Sequence, residues 1–264
     1  MPIVVGSGTG ANYPIVAGAL CRLEEIENFH IKGFISTSGS GVPFAFRARG
    51  PEQNMHKFLE LAQKHPPMSM FRPCWNWPLV PGLFHLDNMA KDMEQYFSNR
   101  LGDNVIPHTL VTFNSDTKKP VLFSTITTPA VDTIKAMQAS MAIPWLIRHV
   151  TIDEQRLTDG GVVNNFAINI PDSPAVGIRV LGAASEGRPW RWWGSYSWNH
   201  VDGMLMAQER AHIASGIWQK HKFITINSPI SGMDFHLVDS DMIKKLFDIG
   251  YRVVDEKIKN GWQP

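Results

Sequence analysis

The chain has 264 residues, 44% hydrophobic and 19% charged, which fits one α/β domain over residues 1–264 and excludes a disordered, collagen-like or coiled-coil chain. Lys and Arg number 25 against 24 Asp and Glu, a formal charge of +1, so no global attraction to nucleic acid exists and no nucleic-acid partner is expected. Two cysteines, Cys21 and Cys74, are too few for a disulfide framework or a thiolate metal cage and point to a reducing, cytoplasmic setting.

The N-terminus, Met-Pro-Ile-Val-Val-Gly, has neither the basic start nor the long apolar core of a signal peptide. Ile3–Val5 reads as a strand, the run Gly6-Ser7-Gly8-Thr9-Gly10 as a tight loop, and the following segment as a helix with Pro14 near its start and Val16, Leu20 and Leu23 on one face. Ile31–Ile35 predicts a second strand running into Ser36-Thr37-Ser38-Gly39-Ser40-Gly41 and a helix through Ala48, where Pro43 would remove a donor at about the fifth helical position. Two such units in succession predict a three-layer α/β/α sandwich with a mainly parallel central sheet and functional turns at the carboxyl ends of its strands. Residues 54–64 look helical. Residues 65–86 interleave prolines with Met68, Met70, Phe71, Trp75 and Trp77, an irregular, adaptable hydrophobic cap in prospect. Helical spacing resumes over 86–97, a hairpin is expected over 110–125, and a helix over 131–141. Val150–Ile152 and Arg156–Thr158 flank a turn, and the second arm delivers Asp159-Gly160-Gly161. Strands follow at 175–180 and 223–226, with helices from about Val201 and Met242.

Ser38 lies where a strand turns into a helix among small residues, the setting of a nucleophile elbow, though a plain Ser/Gly turn reads the same way. The Gly8-Thr9-Gly10 loop ahead of a helix can cradle an anion, whether phosphate or oxyanion. It also meets a relaxed dinucleotide fingerprint, but Ser36 and Thr37 stand where that motif needs an acid. Asp159 sits before two glycines at a turn. These readings stay open on the residues alone.

Taken together, Ser7 to Asn12 with Ala17 to Glu25, Ile35 to Gly41, and Ala139 to Pro144 with Leu157 to Asn165 resemble the oxyanion, nucleophile and aspartate blocks of patatin-like phospholipases. The resemblance implies a Ser/Asp dyad: Ser38 as nucleophile, Asp159 as general base, and the amides of Gly8, Thr9 and Gly10 as an oxyanion hole, supported by Gly39, Gly160 and Gly161. It implies cleavage of phospholipid acyl esters through an acyl-enzyme, at the membrane periphery, without cofactor. The chain departs from the family pattern at Thr9, Asn12 and Tyr13, and a soluble esterase or acyltransferase, or an inactive binding protein of the same fold, remain the alternatives.

His200, His212, His221 and His236 come late enough for a Ser-Asp-His order, but none sits in a catalytic-loop context. No spacing indicates a metal site. No run reaches the ~20 apolar residues of a membrane span, so lipid contact must come from the surface. The nine Trp supply candidates: Trp190, Trp192 and Trp193 in the Arg-Trp-rich loop 188–198, and Trp75 and Trp77 in the cap.

Overall fold

The fold is that of a computed structural model in which residues 1–74, 82–183, 207–208, 211–212 and 214–264 are described. The strands are β1 (Ile3–Gly6), β2 (Gly33–Thr37), β3 (Arg72–Pro73), β4 (Phe84–His85), β5 (His108–Asn114), β6 (Lys119–Ser124), β7 (Val150–Ile152), β8 (Gln155–Asp159), β9 (Ala175–Leu181) and β10 (Lys222–Asn227). The helices are α1 (Tyr13–Glu24), α2 (Gly41–Ala48), α3 (Met55–Lys64), α4 (Asp87–Met93), α5 (Thr133–Ser140), α6 (Gly161–Asn164) and α7 (Ser240–Lys259). The main sheet runs β10-β9-β1-β2-β5-β8-β7, with β6 also paired to β5. β10, β9, β1, β2 and β5 are mutually parallel; β6 and β8 each pair antiparallel with β5, and β7 pairs antiparallel with β8. This is the expected mainly parallel α/β architecture.

Side-chain alternation along the strands builds two apolar layers. Val4, Phe34 and Leu110 point to one face, where α1, α2, α3 and α7 pack, and Val5, Ile35 and Val111 point to the other, against Phe166, Ile168 and Trp218. The two-residue turn Asp153-Glu154 between β7 and β8 takes positive φ at both positions, 48° and 62°, the geometry whose twist matches a tight hairpin.

Three boundaries differ from expectation for physical reasons. β2 spans residues 33–37 rather than 31–35, because pairing with β1 begins at Gly33. Ser36 and Thr37 are polar yet fully buried in it, each with a partner: Ser36 Oγ meets His108 Nε2 at 2.7 Å, and Thr37 Oγ1 donates to the Asn164 carbonyl at 3.0 Å. A 3-10 turn over Ser38–Ser40 precedes α2. Pro43 is the third residue of α2, in its first turn, where proline is tolerated. Most of the helix expected from Val201 lies outside the described residues.

Candidate active site

The sheet explains how two residues far apart in sequence meet. β6 occupies one edge of β5 over residues 109–114. On the other edge β2 pairs with β5 only as far as Thr37 opposite Val111, and β8 takes over with Asp159 opposite Thr112. The chain leaving β2 and the end of β8 thus arrive at the same point. Ser38, the first residue beyond β2, donates its hydroxyl to Asp159 Oδ2 at 2.5 Å.

Ser38 has φ 54°, a left-handed conformation that a non-glycine residue rarely adopts outside constrained sites. Several bonds hold it there. Its N–H donates to Ser140 Oγ at 3.0 Å, and Ser140 Oγ donates in turn to the Val111 carbonyl at 2.7 Å. Ser40 Oγ closes the turn by accepting from Thr37 N (3.2 Å) and donating to Thr37 O (2.9 Å). Ser40 is thus more than a small residue that fits; its hydroxyl shapes the elbow.

Asp159 is 5% exposed. Its Oδ1 accepts from Gly161 N at 2.7 Å and its Oδ2 from Ser38. Burial pushes its pKa up to about 6, and these two hydrogen bonds to the carboxylate hold the rise back. It remains a carboxylate at neutral pH and is a far better proton acceptor than an exposed Asp. Gly160 lies so close to β5 that a Cβ there would sit 2.3 Å from the Val111 carbonyl.

The glycine loop faces this pair. Gly10 has φ +52°, and a Cβ on it would sit 2.1 Å from the Gly232 carbonyl. A Cβ on Gly39 would sit 2.6 Å from the Gly10 carbonyl, so the loop and the elbow are in contact. Of the three amides expected to form the oxyanion hole, that of Gly8 is corrected: it donates to the Asn165 carbonyl at 2.7 Å and anchors the loop. Among the described residues the amides of Thr9 and Gly10 have no acceptor, and the buried Thr9 hydroxyl has no partner. Asn12, in place of a basic residue, ties the loop to the segment 228–232: its Nδ2 donates to the Ile230 carbonyl (3.2 Å) and its Oδ1 accepts from Ser228 Oγ (2.8 Å).

Two cavities share Gly10, Ser38 and Ile143. The larger, about 290 Å³, is lined by the glycine loop, Asp159, Asn165, Trp145 and Met233. The smaller, about 40 Å³, is apolar, walled by Tyr13, Val42, Met70, Phe71, Leu86 and Phe235. Met70, Phe71 and Leu86 come from the expected cap, whose flanks therefore reach the nucleophile. Trp75, Trp77, Trp190, Trp192 and Trp193 lie outside the described residues, as does His200. Among the described residues no histidine bonds to Ser38 or Asp159. His221 Nδ1 accepts from Ala175 N, and His108, its pKa lowered to about 3 by burial, is a neutral core group.

The sequence assigns no role to Ser140 or Asn165, which lie inside the family-like blocks, and does not point to the 228–233 segment or Trp145. Trp145 is 69% exposed at the cavity rim with φ 66°, and only the Pro144-Trp145 dipeptide hinted at a turn there.

No curated protein sequence matches the chain. Among solved structures, VipD from Legionella pneumophila is similar over 98% of this chain and 67% of its own, with a TM-score of 0.53 and 14% identity. ExoU, in its heterodimeric complex with SpcU from the type III secretion system of Pseudomonas aeruginosa, is similar over 98% of this chain and 51% of its own, with a TM-score of 0.51 and 12% identity. At these identities the likeness is one of fold, and this chain spans about half of the ExoU chain. The family model for patatin-like phospholipases matches residues 4–172, which hold the glycine loop, Ser38 and Asp159, and the chain belongs to that family.

Proposed function

We propose that the chain is a serine esterase that hydrolyses carboxylic esters of phospholipids. The observation that carries this reading is the 2.5 Å bond from Ser38 Oγ to a buried carboxylate whose pKa is pushed up to about 6, in the wall of a cavity faced by two open amides. Ser38 Oγ attacks the ester carbonyl carbon as Asp159 Oδ2 takes its proton, and the amides of Thr9 and Gly10 receive the oxyanion. Collapse breaks the bond to the leaving oxygen, which takes the proton from Asp159, and leaves acyl-Ser38. A water, deprotonated by the same carboxylate, then releases the fatty acid and restores the hydroxyl. The apolar cavity suits part of an acyl chain, and the larger one the rest of the ester.

The test is acyl release from phosphatidylcholine vesicles, with serine-directed phosphonate labelling and peptide mapping. Label on Ser38 and loss of both label and acyl release in Ser38→Ala are expected. A wild type inactive on vesicles but active on a soluble ester would favour the soluble esterase. One inactive on every ester, with no label, would favour a binding protein of this fold.

Peripheral membrane contact belongs to the same proposal, and Trp145 supports it. An indole at the mouth of a lipid-ester cavity, held outward in a conformation disfavoured for a bulky residue, suits the headgroup level of a bilayer. Trp145→Asn, polar but tolerant of positive φ, is expected to lower vesicle hydrolysis about tenfold more than hydrolysis of a soluble short-chain ester. Equal losses on the two substrates would remove Trp145 from the membrane contact.

A further inference from the structure

At the end of α1 away from the glycine loop, three side chains with metal-binding atoms converge. Cys21 lies on α1, Glu25 one turn later just past its end, so that the two share a helix face, and His56 is the second residue of α3. Cys21 Sγ is 3.5 Å from His56 Nε2 and 3.8 Å from Glu25 Oε1. All three ligand atoms lie within 4.8 Å of one another. A tetrahedral zinc ion, with bonds of about 2.3 Å to sulfur and about 2.0–2.1 Å to nitrogen and oxygen, requires sulfur-to-nitrogen and sulfur-to-oxygen edges of roughly 3.5 Å. One edge is met as it stands and the other differs by a few tenths of an ångström.

The surroundings also suit a metal. Tyr251 Oη, on α7, donates to Glu25 Oε2 at 2.6 Å, which orients the carboxylate and leaves Oε1 turned to the thiol, the role of an outer hydrogen-bond partner in metal sites. Arg22 Nη1 stands 3.8 Å from the same Oε2, but Arg22 Nε is bonded to Asp255 Oδ1 at 2.9 Å, which offsets its charge. Cys21 is buried, whereas Glu25 and His56 are exposed, so a water can reach the fourth position. Spacing along the chain could not reveal this set, because His56 comes from another helix 35 residues away.

We propose that Cys21, Glu25 and His56 form a zinc-binding site that clamps α3 to α1, with its carboxylate held by α7, independent of ester hydrolysis. Binding exchanges the thiol proton for the metal: the Cys21 S–H bond breaks, the S–Zn bond forms, and one proton passes to solvent. Because binding releases that proton, it must weaken as pH falls.

Cobalt titration of the purified, metal-stripped protein tests this through the thiolate-to-cobalt charge-transfer band, together with thermal unfolding in zinc. One cobalt per chain with a thiolate band is expected, and a rise in Tm of about 5 °C at free zinc 100-fold above the Kd. Cys21→Ser is expected to abolish both, His56→Ala to weaken cobalt binding at least tenfold, and Cys74→Ser to change neither. If Cys21→Ser fails to fold, His56→Ala, at an exposed position that leaves the thiol in place, decides the matter. Absence of a thiolate band in the wild type, a band that follows Cys74, or full cobalt affinity in His56→Ala would each overturn the site.

Discussion

Asp159→Asn is expected to lower acyl release by about 10²–10⁴-fold while raising the thermal stability of the protein at pH 8. The first effect follows from the proposed chemistry, since an amide cannot take the Ser38 proton and a positioned general base contributes a factor of that size. The second follows from burial. The Asp159 pKa is raised in the fold from 3.8 to about 6, so protonation of this carboxyl supports the fold below about pH 4, and that support is lost as pH rises through 6. Above that the buried charge opposes folding, by on the order of 3 kcal/mol for a shift of about two units. Asparagine keeps the contacts: its Oδ1 can accept from Gly161 N and its Nδ2 can donate to Ser38 Oγ. Unfolding followed at pH 8 and pH 4 checks this, with a Tm gain of several degrees at pH 8 that shrinks toward zero at pH 4, where Asp159 is itself protonated. The wild-type kcat/KM should rise with pH through a midpoint near 6 and level off above about pH 7. An Asp159→Asn protein no more stable than wild type at pH 8, or a rate that does not fall below pH 6, would remove the proposed state of this carboxylate.

What could be read beforehand and what could not divide along a physical line. β1, the glycine loop and α1 form one local unit, as do β2, the elbow and α2, and small-residue turns between apolar runs announce both. Asp159 is different. Nothing in Leu157-Thr158-Asp159-Gly160-Gly161 says that its carboxylate meets Ser38, which only the family resemblance implied; the meeting depends on β8 replacing β2 along the same edge of β5, a non-local pairing. Ser36 and Thr37 were hidden by polarity, because apolar periodicity ends a strand where the side chains turn polar, whereas their hydroxyls find partners inside the fold. Ser140 lies inside the family-like block 139–144, yet its bridge from the Ser38 amide to β5 exists only once α5 packs there. Gly8 went astray for a related reason. A glycine loop reveals that backbone amides are accessible but not which one is taken by the Asn165 carbonyl.

Gly39→Ala is expected to cut kcat by about 10²–10³-fold without moving the midpoint of the pH profile. Gly39 has no left-handed backbone, so a methyl group adds no conformational strain and the whole effect comes from contact. The new Cβ would stand 2.6 Å from the Gly10 carbonyl, 2.7 Å from Thr9 Oγ1 and 3.1 Å from Gly10 N, all inside ordinary van der Waals separation. The loop has nowhere to withdraw. Behind it Ala11 N donates to the Gly232 carbonyl at 2.7 Å, Gly10 already abuts that same carbonyl, and Asn12 holds Ile230 and Ser228. Relief must therefore rotate the Thr9 and Gly10 peptides, which carry the two open donors. Misaiming one oxyanion donor lowers kcat by the factor given. The bond from Ser38 to Asp159 depends on the pairing of β8 with β5 rather than on this loop, so the base should titrate near pH 6 as before. Steady-state kinetics across pH, on protein whose circular dichroism matches wild type, separates the two contributions. A Gly39→Ala protein with undiminished kcat would mean that the oxyanion is stabilised by groups other than the loop amides.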